Sequence, residues 1–183
     1  MGDWHLFFSA GSDESCGLSS LITINPTSGV GALVASLTLE PPDDVRAIAF
    51  SPGGTLYASI GQCYTDLDDE LHIINPASGV TTYVGTMVEA VQALDFSDAT
   101  GVLYGWDLTN GLITIDPATG AVSDVNPAVV GEFIQSLVVR PDGSMLGAST
   151  TALYSIDSVT GNQTLIGSNG MTSVRGIELI DDP

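Results

Sequence analysis

Leu71-His-Ile-Ile-Asn-Pro-Ala-Ser-Gly79 decides how this chain is read, because its pattern is written four times. The apolar runs Leu21-Ile-Thr-Ile24, Leu71-His-Ile-Ile74, Leu112-Ile-Thr-Ile115 and Leu153-Tyr-Ser-Ile156 each lead straight into a turn sequence. Those turns are Asn25-Pro-Thr-Ser-Gly29, Asn75-Pro-Ala-Ser-Gly79, Asp116-Pro-Ala-Thr-Gly120 and Asp157-Ser-Val-Thr-Gly161, spaced by 50, 41 and 41 residues. Asn or Asp opens each turn, and Gly at the fifth place supplies the positive φ that closes a hairpin.

A second unit precedes each of these. Val45-Arg-Ala-Ile-Ala-Phe50 matches Val91-Gln-Ala-Leu-Asp-Phe96, Ile134-Gln-Ser-Leu-Val-Val139 and Val174-Arg-Gly-Ile-Glu-Leu179. In three copies a tight turn and another strand follow, beginning at Leu56, Leu103 and Met145. One repeat therefore holds four short strands, a to d, and four strands per 41 to 50 residues is the signature of a propeller blade. The last copy of strand a has no strand b after it, and the chain begins with an orphan strand b, Leu6-Phe-Phe-Ser9. The expectation is one all-β domain over 1–183, a four-bladed β-propeller closed by the C-terminal strand pairing into the N-terminal blade. Its blades would be 173–183 plus 1–40, then 41–88, 89–131 and 132–172. The alternative is a half-propeller completed by dimerisation. A ring removes the exposed strand edges that invite aggregation.

These repeats resemble the bacterial propeller blades that read "AF–SPDG–LYA" and "LYxIDPxTG", of the NHL and gluconolactonase type, over nearly the whole chain. The resemblance speaks for the fold and weakly for function, since one fold hosts many activities. Those relatives usually carry six or more blades, and four are counted here.

Composition narrows the partners. Three Arg, no Lys and 22 acidic residues give a net charge of −19, which argues against a nucleic-acid backbone and against anionic lipid. The 44% apolar content argues against disorder. No apolar run approaches the roughly 18 residues that span a bilayer. The Met-Gly-Asp-Trp start carries no basic-then-apolar signal. Low pI, no Lys and two Cys suit an extracellular or periplasmic setting, although adaptation to salt would give the same acidity.

Chemistry is expected where strand a begins and strand b ends, the top by propeller convention. The stretches Gly11 to Ser20 and Gly61 to Glu70 read as long top-face loops, where function concentrates. The second position of strand a holds Arg46, Gln92, Gln135 and Arg175, so two of the three basic residues share one repeated place. They read as a ring of donors for a small polar or anionic ligand. The plainer reading is that they satisfy backbone carbonyls and acidic neighbours. Asp43, Asp44, Glu89 and Glu132 lie beside that ring, and the fifth position adds Asp95 and Glu178 in blades expected to face each other. Two opposed acids in an apolar column suit a hard cation such as Ca²⁺. Waters or the Arg–Gln ring would satisfy them equally.

The run Asp66-Leu-Asp-Asp-Glu70 lacks the EF-hand pattern and reads as a solvated acidic loop. Cys16 and Cys63 fall on equivalent top-face stretches and are candidates for a disulfide, with free thiols as the alternative. Trp106 heads an aromatic set with Trp4, Tyr64 and Tyr83 that could line a sugar or peptide site or simply pack. His5 and His72 read as structural.

The sequence thus points to a secreted-type binding module with an axial top-face site for an ion or small polar ligand. The resemblance to lactonase and phosphotriesterase propellers implies a rival, a Ca²⁺-dependent hydrolase of lactones, esters or phosphotriesters. Glu89, Glu132, Gln92, Gln135 and Asp95 would then be ligands, with Arg46 and Arg175 stabilising the anion. No motif supplies a nucleophile or base. A third reading is an architectural repeat unit of a larger surface protein.

Overall fold

The computed structural model describes residues 6–12, 15–25, 27–39, 43–62, 68–129, 131–168, 170, 174, 176 and 177, with the backbone alone for 6–12, 15–18 and 89. Every described element is a β-strand. The first sheet holds β1 (Leu6–Ser12), β2 (Ser15–Ile24) and β3 (Gly31–Ser36). The second holds β4 (Asp43–Phe50), β5 (Leu56–Gln62), β6 (Asp68–Ile74) and β7 (Thr81–Glu89). The third holds β8 (Val91–Phe96), β9 (Leu103–Asp107), β10 (Gly111–Ile115) and β11 (Val122–Asp124). The fourth holds β12 (Ser136–Val139), β13 (Met145–Ala148), β14 (Leu153–Ile156) and β15 (Gln163–Gly167). All pairing is antiparallel between strands consecutive in sequence.

The repeated turn does what its residues dictate. In each copy the Gly amide donates to the carbonyl of the opening residue, at 2.8 Å for Gly29, Gly79, Gly120 and Gly161. All four glycines have positive φ, between 68° and 76°. The opening side chain caps the turn, as where Asn75 Oδ1 accepts from Ala77 N and Asp157 Oδ1 from Val159 N, both at 2.9 Å.

Between sheets the period-two alternation sorts side chains. We call the face turned to the next sheet in chain order the front, and the other the rear. Leu21, Leu71 and Leu112, first in strand c, are front residues buried in the three inter-sheet cores. Ile74, Ile115 and Ile156, three positions on, are rear residues in the same cores. Each such burial contributes about 1.5–3 kcal/mol. At the inner strands Ala93 and Ser136 are buried, Ala47 is half-buried and Gly176 exposed, and Ile48, Leu94 and Leu137 pack between sheets.

The four units are therefore present as sheets, three of them four-stranded and the first three-stranded. The described residues do not join the ends. No ladder pairs β1 with residues 174–177, and the first and fourth sheets are not closed on each other. The C-terminal segment instead runs beside the fourth sheet. Val174 N donates to Thr150 O at 3.0 Å, and Ile177 N to Ser136 Oγ at 2.7 Å. That is the place the next inner strand of the series would take.

One expectation is corrected. Gly11 to Ser20 is no long loop, because β1 runs to Ser12 and β2 begins at Ser15, with a bulge near the tip of the hairpin. In the second sheet the ladder likewise extends to Ile60↔Glu70, so strand covers much of the expected loop.

Candidate functional site

The second position of strand a is a β-bulge. The register shifts between Val45 and Ala47 and again between Val91 and Ala93, which makes Arg46 and Gln92 the extra residues. A bulge re-aims its side chain, and this explains polar residues inside an otherwise apolar strand. Gln135 holds the equivalent place, with its amide on Ala148 O at 2.8 Å.

Arg46 turns into the second sheet. Its Nε donates to Asp69 Oδ1 at 3.0 Å and its terminal nitrogen to Gln62 O at 3.2 Å. Asp69 is fully buried. Its Oδ2 also accepts from Val91 N at 2.7 Å, and Ser59 Oγ, 3.4 Å away, donates to Val91 O at 2.8 Å. Gly61 makes this possible: a Cβ there would lie 2.0 Å from Arg46 Nε and 2.1 Å from Asp69 Oδ1. Burial raises the Asp69 carboxyl above its ordinary value, while Arg46, the Val91 amide and Ser59 pull it down. The Arg46 fork is thus engaged with a carboxylate and a carbonyl, which speaks for the plainer reading of this position.

At the same end of the sheet, on the face opposite the pair, lies a recess of about 120 Å³ lined by Asp43, Ile60, Gln62, Asp68 and Glu70. The ladder puts Asp43 opposite Gln62 and Ile60 opposite Glu70. Glu70 Oε2 is held by His72 Nε2 at 2.8 Å, and the His72 ring meets Tyr83 edge-on at 5.6 Å. The rim is therefore three carboxylates and an amide on one apolar wall.

The other candidates are scattered. Asp95 Oδ1 accepts from Phe96 N at 2.9 Å and Oδ2 from Val139 N at 2.6 Å, so it ties the third sheet to the fourth. Glu132 is exposed, and its amide meets Gln163 Oε1 at 3.1 Å. Trp106 is buried in the core between the third and fourth sheets, where it packs and cannot form a lip. The Glu89 side chain, Arg175, Glu178, Trp4, Tyr64, His5 and the side chains of Cys16 and Cys63 lie outside the described residues. Among the described residues no three acids, histidines or cysteines converge as a metal centre. The donor set expected for an axial Ca²⁺ is not assembled by Asp95, Glu132 and Asp43.

Sequence reading missed Asp69, Asp107 and Ser19. Asp107 Oδ2 caps the tight turn after β9, accepting from Thr109 N at 3.0 Å and Asn110 N at 2.6 Å. Its Oδ1 is buried without a partner, as is Gln135 Oε1. Burial raises the Asp107 carboxyl, against the turn amides that lower it. Ser19, buried, accepts from Val45 N at 3.2 Å and donates to the Asp44 carboxylate.

Solved structures share this architecture. A chain of the nidogen/laminin complex superposes with a TM-score of 0.64 at 10% identity, over 94% of this chain and 64% of that one. A "putative gluconolactonase" gives 0.60 at 15%, over 94% and 62%. An auxiliary nutrient binding protein from Bacteroides thetaiotaomicron gives 0.56 at 16%, over 92% and 40%. This chain thus spans less than two thirds of the length of each. At such identities the likeness establishes the fold, a β-propeller repeat protein. No curated protein matches the sequence. A family profile matches residues 7–162, and the chain belongs to that family, described as "Repeat of unknown function (DUF6923)".

Proposed function

We propose that this chain is a propeller-type binding module whose top edge offers a small polar ligand the recess at the second sheet. The observation that carries the reading is the rim itself: Asp43, Asp68 and Glu70 with the Gln62 amide around about 120 Å³, over the apolar side of Ile60. Acceptors dominate that rim, and Arg46 is drawn down to Asp69. Hydroxyl or ammonium donors suit it better than an anion does. The three carboxylates do not converge as a metal centre, which favours a hydroxyl or ammonium ligand over Ca²⁺ at this recess. In this proposal the ring is completed when segment 174–179 serves as the inner strand of a three-stranded sheet of the first-sheet type.

Calorimetric titration tests the site, using Ca²⁺ alone and a panel of neutral and amino sugars. Binding that weakens about tenfold or more in Glu70→Gln, roughly 1.4 kcal/mol, supports the assignment. Affinity unchanged in Glu70→Gln and Asp68→Asn removes the recess from the proposal. Turnover of a lactone or phosphotriester, abolished by chelator, would replace a binding module with a hydrolase.

A further inference from the structure

Inside the chain, each sheet receives its neighbour through one repeated contact. The Asn/Asp-to-Gly turn of the following sheet presses on the outer strand of the sheet before it. A Cβ on Gly79 would lie 2.3 Å from Ser36 O, and one on Gly120 within 3.0 Å of the Gly85 backbone. At the third junction the fit is looser: a Cβ on Gly161 would lie 3.6 Å from Leu112 Cβ, on β10 rather than on the outer strand. All three turn glycines are buried. On the second sheet the receiving side is shaped for this, since a Cβ on Gly85 would lie 1.8 Å from Thr119 O. Ala35 and Val125 hold that place in the first and third sheets.

Two halves of this contact lack their counterpart among the described residues. Gly29, in the turn of the first sheet, is exposed with nothing within 4 Å. Gly167 stands opposite Leu153 as Gly85 stands opposite Leu71, and it too has nothing within 4 Å. The flanking side chains agree. Leu153 is half-buried where Leu21, Leu71 and Leu112 are fully covered. Ile166 is 55% exposed at the front position where Val84 packs into the core between the second and third sheets. At the other end Ile24 is half-buried where Ile74, Ile115 and Ile156 are covered.

We propose that the front of the fourth sheet docks on the rear of the first sheet of a second copy, placing the Asn25–Gly29 turn of one copy against Gly167 of the next. The two faces are halves of an interface that the chain already builds three times, which is why the occupant is this same repeat. The contact is head-to-tail, so two copies close a ring or more copies extend it. Val174 and Ile177, bonded to Thr150 and Ser136 of the fourth unit, mark where the inner strand for the incoming β1 would run. The inference rests on the ring reading above and is independent of what the recess binds.

Sedimentation of the full chain tests it, over a range of protein concentration at low and high salt. The expected result is a mass at least twice 18.8 kDa, favoured by salt because it screens repulsion between copies of charge −19. Gly167→Val faces open space, so it leaves the melting temperature of the isolated copy unchanged. Because β15 carries the same register shift as β7, the turn is expected to seat as Gly120 does on Gly85. The valine therefore blocks it and weakens association about tenfold or more, and Ile166→Glu does the same. A monomer under all conditions whose Gly167→Val variant melts lower means that the chain's own first sheet fills the slot. The second copy is then excluded while the ring survives. A monomer indifferent to Gly167→Val overturns both. Association indifferent to both variants places the contact elsewhere and overturns the proposal.

Discussion

Two junctions perform the same task with different chemistry. At the first–second junction, Ser19 Oγ holds an amide of the next inner strand, Val45 N, at 3.2 Å. At the second–third junction, Asp69 Oδ2 holds the corresponding amide, Val91 N, at 2.7 Å. Each clasp stands two residues before the strand-c leucine, Leu21 or Leu71. A hydroxyl can be buried with one donor and one acceptor satisfied, and Ser19 Oγ donates a hydrogen bond to the Asp44 carboxylate. A carboxylate cannot be buried alone. Asp69 therefore needs the Arg46 guanidinium, and the pair needs a glycine at 61 to admit it. The charged clasp makes one element depend on three, whereas the neutral clasp stays local.

Removing each clasp should expose that difference most strongly. Asp69→Ala strands the Arg46 charge and leaves the Val91 amide unpaired. Breaking a buried pair costs about 3–5 kcal/mol, reduced here toward 3 because the Arg46 side chain is 24% exposed. Ser19→Ala loses the bond from the Val45 amide and the bond to the Asp44 carboxylate without stranding a buried charge, and should cost about 1–2 kcal/mol. Urea unfolding of both variants checks the order, and equal losses would mean that the ion pair adds nothing to the clasp. Gly61→Ala should fall between them, at about 2 kcal/mol, because the new Cβ overlaps both members of the pair and forces them apart. In an Asp69→Ala background most of that loss should vanish, since there is no longer a pair to separate.

The same junctions show what the sequence can disclose. The repeat located the strand-c runs and their turns, because Leu-to-Ile runs ending at Asn or Asp have one local solution. The bulge position was visible as Arg46, Gln92 and Gln135, but its partner was hidden. Asp69 sits within the acidic run 66–70, which reads as a solvated loop. Alternation carries the missing signal: Asp69 shares the parity of Leu71, so it faces the covered side while Asp68 faces water. Ser19 and Leu21 repeat that relation. Trp106 misled for the opposite reason, because nothing local separates an aromatic at a rim from one that the next sheet will cover. Asp95 was legible as an anomaly in an apolar column, yet its role as an acceptor for Val139 N depends on a contact 44 residues away.

Titration sharpens the comparison most finely, because one clasp ionises and the other does not. Asp69 and Asp107 are raised by burial above the ordinary 3.8. Between that value and the raised one, the folded chain holds protons that the unfolded chain has released. Stability therefore increases as pH falls from neutrality through this window. Asp116, Asp142 and Asp157 are lowered instead, the first and third chiefly by turn amides and Asp142 chiefly by the Ser144 hydroxyl. Their contribution is present above 3.8 and is lost as pH falls through their lower folded values. Melting temperature should accordingly rise on mild acidification and then drop in stronger acid. Relief of the −19 charge adds to the rise in every variant, so the informative quantity is a difference between chains. Asp69→Asn should show a smaller gain between neutral and mildly acidic pH than the native chain, whereas Ser19→Ala should leave the gain intact. An undiminished gain in Asp69→Asn would mean that the Arg46 charge outweighs burial and keeps this carboxyl ionised throughout.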